Sequence, residues 1–245
     1  MRIAVLADIH GNLPALEAVV ADFTARGVDA VVNLGDSLSG PLLPLETARF
    51  LMARDWLHIA GNGERQILTG GPGQWNASDE FTHSQLTSIE LAWMASLKST
   101  ASIDRQVLLF HGTPKSDVEY FLETVEATHV RAATLREIDA RLGEVDESLI
   151  LCGHSHVPRS MHSSKGRLIV NPGSVGLQAY RDVRPYPHVM ETGSPDARYA
   201  MLEKASETWV TTMIAVPYAH TSMARLAHER SRDNWARALS SGTMS

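Results

Sequence analysis

Seven residues of metal-binding type stand at the ends of short apolar runs. They are Asp8 and His10 at the end of "RIAVLADIH", Asp36 closing "DAVVNLGD", Asn62 closing "WLHIAGN", His111 in "RQVLLFHG", and His154 and His156 in "SLILCGHSH". Imidazole nitrogen, carboxylate oxygen and amide oxygen together suit Mn, Fe, Zn, Co or Ni better than Mg or Ca. No single run makes a metal site. A Gly-Asp pair is a common turn signal, and a short His-rich tract is only a compositional hint. In open α/β sheets, however, ligands bind beyond the carboxyl ends of strands, where loops converge. Donors from five strand ends can therefore share one crevice.

The elements that must position them follow from periodicity. "RIAVLAD" is a short apolar run that suits a strand buried on both faces. Leu13, Leu16, Val19, Val20 and Phe23 then recur at helical spacing, with Asn12 as cap, Pro14 in the first turn and Gly27 at the end. Residues 29–36 read as a strand, 44–54 as a helix and 56–62 as a strand, an alternation that indicates an α/β protein. Residues 63–100 read mainly as helix around "LTSIELAWMASL" after a flexible "TGGPGQW" loop, and 118–142 as helical. Strands are expected at 105–112, 148–156, 166–174, 197–203 and 208–216, the last two joined as a hairpin through Lys204–Glu207. One amphipathic helix over 218–239 is expected to close the chain, burying Met223, Leu226, Ala227, Trp235 and Leu239. No linker-like shift in composition interrupts the chain, so 1–245 reads as a single domain.

Composition narrows the function classes. The chain has 245 residues, 44% hydrophobic and 20% charged, with net charge −6. An acidic balance argues against binding a nucleic-acid duplex through its phosphates. Cys152 is the only cysteine, which excludes an internal disulfide and a cysteine-based zinc cluster. Asp8 and His10 interrupt the first apolar run, and no run approaches the ~18 apolar residues of a membrane span. A cytoplasmic location is the expectation. The run "GDSLS" fails the G-x-S-x-G pattern of a serine hydrolase, and "DIHGN" stands where a dinucleotide fold would need G-x-G-x-x-G.

The ordered set "DIH" (8–10), "GDSLSG" (35–40), "GNGE" (61–64), "HG" (111–112) and "GHSH" (153–156) resembles the calcineurin-like metallophosphoesterase superfamily. "NPGSVG" (171–176) resembles its compact bacterial and archaeal phosphodiesterase branch. The resemblance implies a four-layer αββα sandwich, two mixed β-sheets flanked by helices. The C-terminal hairpin and helix (197–240) would complete the second sheet and the outer layer. It also implies two divalent transition-metal ions, Mn foremost, with Fe, Zn, Ni or Co as options. One would be held by Asp8, His10, Asp36 and His156, the other by Asp36, Asn62, His111 and His154, with Asp36 bridging. Two such ions bring more positive charge than two carboxylates return, and metal binding lowers the pKa of water towards ~7. The implied activity is hydrolysis of a small phosphodiester, phosphomonoesters included, with Asp36, Asn62 and His111 catalytic. A non-catalytic scaffold of the same fold used for protein contacts, a nucleoside polyphosphate hydrolase and a protein phosphatase of the same superfamily are the alternatives. No membrane partner is expected, and homo-oligomerisation is left open.

One position departs from the pattern. Many members carry His after Gly-Asn, followed by an acid, and this His protonates the leaving group. Gly63 stands there instead, followed by Glu64. General acid catalysis is worth ~10²–10⁴-fold. Its loss predicts a steep dependence of rate on leaving-group pKa unless another residue supplies the proton, and Gly63→His is expected to raise activity on poor leaving groups. Glu64 would cap the following helix or pair with Arg65, and Arg65 is a candidate for binding a phosphate oxygen. "NPGSVG" is expected to support the site as a tight turn.

Overall fold

The computed structural model describes every residue except Glu207. The chain opens with β1 (Arg2–Leu6), α1 (Leu13–Arg26), β2 (Ala30–Asn33), α2 (Pro44–Met52) and β3 (Leu57–His58). Three helices follow: α3 (Asn62–Thr69), α4 (Ala77–Gln85) and α5 (Ser88–Ser96). Next come β4 (Thr100–Ile103), β5 (Val107–Phe110), β6 (Glu123–Val125), β7 (Val130–Ala132), α6 (Leu135–Leu142), β8 (Leu149–Leu151), β9 (Arg159–His162) and β10 (Leu168–Asn171). The chain finishes with β11 (Ala179–Asp182), β12 (His188–Glu191), β13 (Ala197–Ala205), β14 (Thr208–Val216), α7 (His220–Glu229) and α8 (Asp233–Ser241).

Two five-stranded mixed sheets form the centre, in the orders β14-β13-β1-β2-β3 and β4-β5-β8-β10-β9. Strand alternation builds the layers. Ile3, Val5 and Ala7 face Val107, Leu109, Leu149, Leu151 and Val170 of the other sheet, forming the core between the sheets. Ala4 and Leu6, one residue out of phase, pack on Ala15, Leu16, Val19 and Phe23 of α1. On the far side, Phe110, Ile150 and Ile169 meet Ile138 and Leu142 of α6. The result is the four-layer αββα sandwich. Each fully buried aliphatic side chain in it contributes ~1.5–3 kcal/mol.

Three expectations are corrected. The hairpin β13–β14 joins the first sheet, antiparallel to β1 from Arg2↔Glu203 to Val5↔Ala200, because β2 occupies only the other edge of β1. Within 118–142, only α6 is helical. Residues 123–132 form the hairpin β6–β7, closed by Glu126 N–H donating to His129 O (2.9 Å). β-branched Thr124, Val125, Thr128 and Val130 favour that pairing, and Thr134 caps α6, accepting from Glu137 N–H (3.3 Å). The closing helix is two helices. Ser231 takes a left-handed backbone (φ 57°), and Arg230 donates to the carbonyls of Pro41 and Leu42, so the chain turns before α8. The turn expected over Lys204–Glu207 includes Glu207, which lies outside the described residues; Lys204 and Ala205 belong to β13. Among the described residues, no helix is long and apolar enough to cross a membrane.

Candidate metal centre

All seven donors come together where the loops after β1, β2, β3, β5 and β8 meet. Asp8, His10 and His156 form one group whose ligand atoms lie within 4.8 Å of one another; Asp36, His111 and His154 form a second. Five of these residues hold left-handed backbone: Asp8 (φ 55°), His10 (52°), Asp36 (52°), His154 (69°) and His156 (61°). Such conformations cost on the order of 1–3 kcal/mol each and cluster at functional sites; Asp and His tolerate them better than most residues. Main-chain bonds between the loops hold them in place. Asp8 N–H donates to Gly35 O (3.0 Å), His10 N–H to Asp36 O (3.0 Å) and Gly153 N–H to His111 O (2.7 Å).

The histidines show what the arrangement accepts. Nδ1 of His10 lies 2.7 Å from Ser39 O, that of His111 2.8 Å from Leu34 O, and that of His156 2.6 Å from Leu177 O. A carbonyl oxygen only accepts, so each Nδ1 carries the hydrogen and each Nε2 of a neutral ring presents a lone pair. The Nε2 atoms of His10 and His156 face each other at 3.1 Å. Asp8 Oδ1, buried beside them at 3.5 Å from His156 Nε2, has no hydrogen-bond partner. The Asn62 amide lies 2.9 Å from His154 Nδ1 and 3.2 Å from His111 Nε2, which places it beside the second group. The lone pairs of His10 Nε2, His156 Nε2 and Asp8 Oδ1 converge with no hydrogen among them and repel unless a cation lies between them. The donor set therefore fits divalent transition-metal ions.

Electrostatics agree for both carboxylates, His10 and His154. Burial pushes the Asp36 carboxyl upward, but the adjoining His111 ring outweighs it and holds the group below the usual carboxylate range. Asp8 is likewise lowered: burial opposes ionisation, and His156 and His111 overcome it. Burial and the His156 charge lower His10, and burial lowers His154 to about 4. His111 goes the other way, to about 10, because Asp36 outweighs its burial. Ionised carboxylates and neutral imidazoles are the states that metal ligands require, which Asp8, Asp36, His10 and His154 meet; His111, held charged by Asp36, would give up its Nε2 proton when a cation binds.

Glu64 organises this loop. Fully buried, it accepts from the backbone N–H of Asp36 (2.9 Å), Gly61 (2.8 Å) and Ser37 (2.7 Å). It caps α3 as expected but does not pair with Arg65. Glu64→Gln puts an NH₂ group against one of these N–H donors, and hydrogen bonds to a charged acceptor are worth about 1.5–3 kcal/mol each. Its Mn²⁺ affinity, measured by calorimetry, is expected to fall by ~10–100-fold; unchanged affinity would show that the Asp36 loop holds without it. "NPGSVG" braces the site from below: Ser174 Oγ donates to Asp8 O (2.7 Å) and Asn171 Nδ2 to Gly153 O (2.8 Å). A Cβ at Gly176 would fall 1.8 Å from Ile9 O, so only glycine allows this approach.

A cavity of about 850 Å³ opens onto His10, Asp36, Asn62, His154 and His156. Arg65 does not line it. Its guanidinium forms a fork on Asp117 (2.6 and 2.8 Å), since α3 turns this side chain outward. Sequence reasoning missed much of the wall. Ser39, Tyr180, Arg181 and Trp235 line the cavity, and the Trp235 ring meets His10 edge-on with centroids 5.8 Å apart. An aromatic on the expected inner face of a closing helix looks like core; only the break before α8 turns Trp235 to the site.

A two-sheet sandwich carrying paired His/Asp clusters at its strand ends is the architecture of the metallophosphoesterases. Residues 1–192 match the model described as the calcineurin-like phosphoesterase superfamily domain, and the chain belongs to that superfamily. Its members are divalent-metal-dependent phosphoester hydrolases. The chain is similar to a metallophosphoesterase from Sphaerobacter thermophilus, at 25% identity and a TM-score of 0.77, covering 99% of this chain and 100% of that one. It is also 26% identical to the uncharacterized protein MJ0912 of Methanocaldococcus jannaschii, covering 71% of this chain and 70% of that protein.

Proposed function

We propose that this protein hydrolyses a small phosphodiester using two divalent ions, manganese foremost, within one domain spanning 1–245. Asp8, His10, Asp36 and His156 would hold one ion; Asp36, Asn62, His111 and His154 would hold the other. The convergence of the His10 and His156 Nε2 lone pairs on the unpartnered Asp8 Oδ1 carries this reading. Ions bound there supply Lewis acidity that activates water and offsets charge on the phosphoryl oxygens.

The chain's own part is to place and shield. Asp36 Oδ1 is pinned by Gly63 N–H (2.7 Å), while Oδ2 points towards His111 (3.5 Å), so one carboxylate can serve both groups. The His10, His111 and His156 rings cannot swing, because main-chain carbonyls hold their far nitrogens. Tyr180, whose hydroxyl donates to His154 O (3.1 Å), and Trp235 wall the cavity against water. The buried, lone Cys152 is in keeping with a reducing cytoplasm.

The test is a metal add-back. Chelator-stripped protein should be inactive on bis(4-nitrophenyl) phosphate and recover with Mn²⁺, in step with the metal bound per chain. Metal binding without turnover would sink the hydrolase reading, and failure to bind metal would leave a scaffold.

A further inference from the structure

The space that an acid at position 63 would need is already taken. A Cβ built on Gly63 would fall 2.9 Å from Ser39 Cβ, so the Ser39 side chain stands where a side chain from 63 would begin. Ser39 lines the cavity with Asp36 and Asn62, and its Oγ donates to Asp79 Oδ1 at 2.6 Å. Asp79 is 2% exposed, and among the described residues no cationic side chain forms an ion pair with it. Asn76 holds it instead: Nδ2 donates to Oδ2 (2.5 Å), and the Asp79 N–H donates to Asn76 Oδ1 (3.0 Å).

We propose that Ser39, backed by Asp79, supplies the leaving-group proton in the hydrolysis proposed above, on which this inference rests. As the bond between phosphorus and the leaving oxygen breaks, that oxygen keeps the electron pair and takes the Oγ proton of Ser39. When Asp79 is protonated the 2.6 Å bond runs the other way, Oδ1–H donating to Oγ and freeing the Ser39 O–H for the leaving oxygen, and that carboxyl proton passes to Oγ in the same step. Asp79 is left as a carboxylate and is reprotonated from solvent. Ser39 is the catalytic residue; Asp79 positions it and holds the proton in reserve.

Burial raises the Asp79 carboxyl to about 6; the Ser39 bond opposes this and the Asp36 charge adds to it. A carboxyl in that range holds a proton for part of the time near neutral pH, as a general acid must. The charged groups around it are Asp36, Arg232, which donates to Ala77 O (2.7 Å) at the head of α4, and on α4 itself Glu80 and His83.

The experiment compares bis(4-nitrophenyl) phosphate with diphenyl phosphate, whose phenol is the poorer leaving group, in the Mn²⁺-loaded wild type, Ser39→Ala and Asp79→Asn. Both variants should lose ~10²-fold in kcat/KM on diphenyl phosphate and several-fold less on the nitrophenyl ester. In protein without added metal, ¹³C NMR should place the Asp79 titration near 6, and Ser39→Ala should move it higher by removing a donor to the carboxylate. Equal losses on both esters would overturn the relay, as would no loss on diphenyl phosphate or an ordinary carboxylate midpoint. A wild type inactive on both esters with metal bound would sink the hydrolase reading and the relay with it.

Discussion

Asp36→Asn should leave a folded protein that retains little metal and almost no turnover. The carboxylate performs two tasks in opposite directions. Oδ1 accepts from Gly63 N–H at 2.7 Å, and Oδ2 faces His111 Nε2 at 3.5 Å. An amide has one acceptor. Turned one way, it sets NH₂ against the Gly63 N–H; turned the other, it presents NH₂ to the cation and to the His111 lone pair. The change also removes one of the two negative charges facing the proposed ions, Asp8 supplying the other. Affinity and rate should therefore both fall by more than the ~10–100-fold that outer-sphere changes cost. Bound metal per chain, circular dichroism and rate on bis(4-nitrophenyl) phosphate together give the answer. Full metal content with near-wild-type turnover would place the chemistry elsewhere.

Gly63→His should lower both stability and metal affinity and gain nothing on poor leaving groups. This reverses what the motif suggests, and the reason is space. Gly63 lies in the first turn of α3 with no positive φ, so the backbone accepts a side chain. A Cβ there, however, lies 2.9 Å from Ser39 Cβ and 3.0 Å from Asp36 Oδ1, and one of the two must move. Overpacking of this kind costs about 1–3 kcal/mol, and here the strain falls on the bridging carboxylate. Gly63→Ala carries the same Cβ and should show most of the same loss, whereas adding Ser39→Gly to Gly63→His should restore part of the melting temperature. A Gly63→His protein with full metal and faster hydrolysis of diphenyl phosphate would show that the 37–40 loop yields.

The donor set was legible because its signal is local. A ligand type at each strand end needs only a short apolar run and a polar stop, and Asp8, Asp36 and His111 show both. Whatever depends on distance along the chain was not legible. Ser39 and Asp79 are joined only when α4 folds over the loop after β2. Arg65 looked free until Asp117 took it. Residues 123–132 carry apolar and β-branched positions that suit a helix face as well as a short hairpin, and tertiary pairing decides between them. The close approach of Ser39 to position 63 is a matter of tenths of an ångström, which no pattern of letters encodes.

Three imidazoles at the centre are aimed by the carbonyls of Leu34, Ser39 and Leu177. Every amino acid carries that group, so no point substitution at those positions can delete the acceptor that sets the ring's tautomer. The aim of the rings is thus written in the path of the main chain and is insulated from drift in the side chains around it. Descendants of this fold can change most of their residues, the cavity walls above all, and acquire new substrates while the same nitrogens keep facing inward.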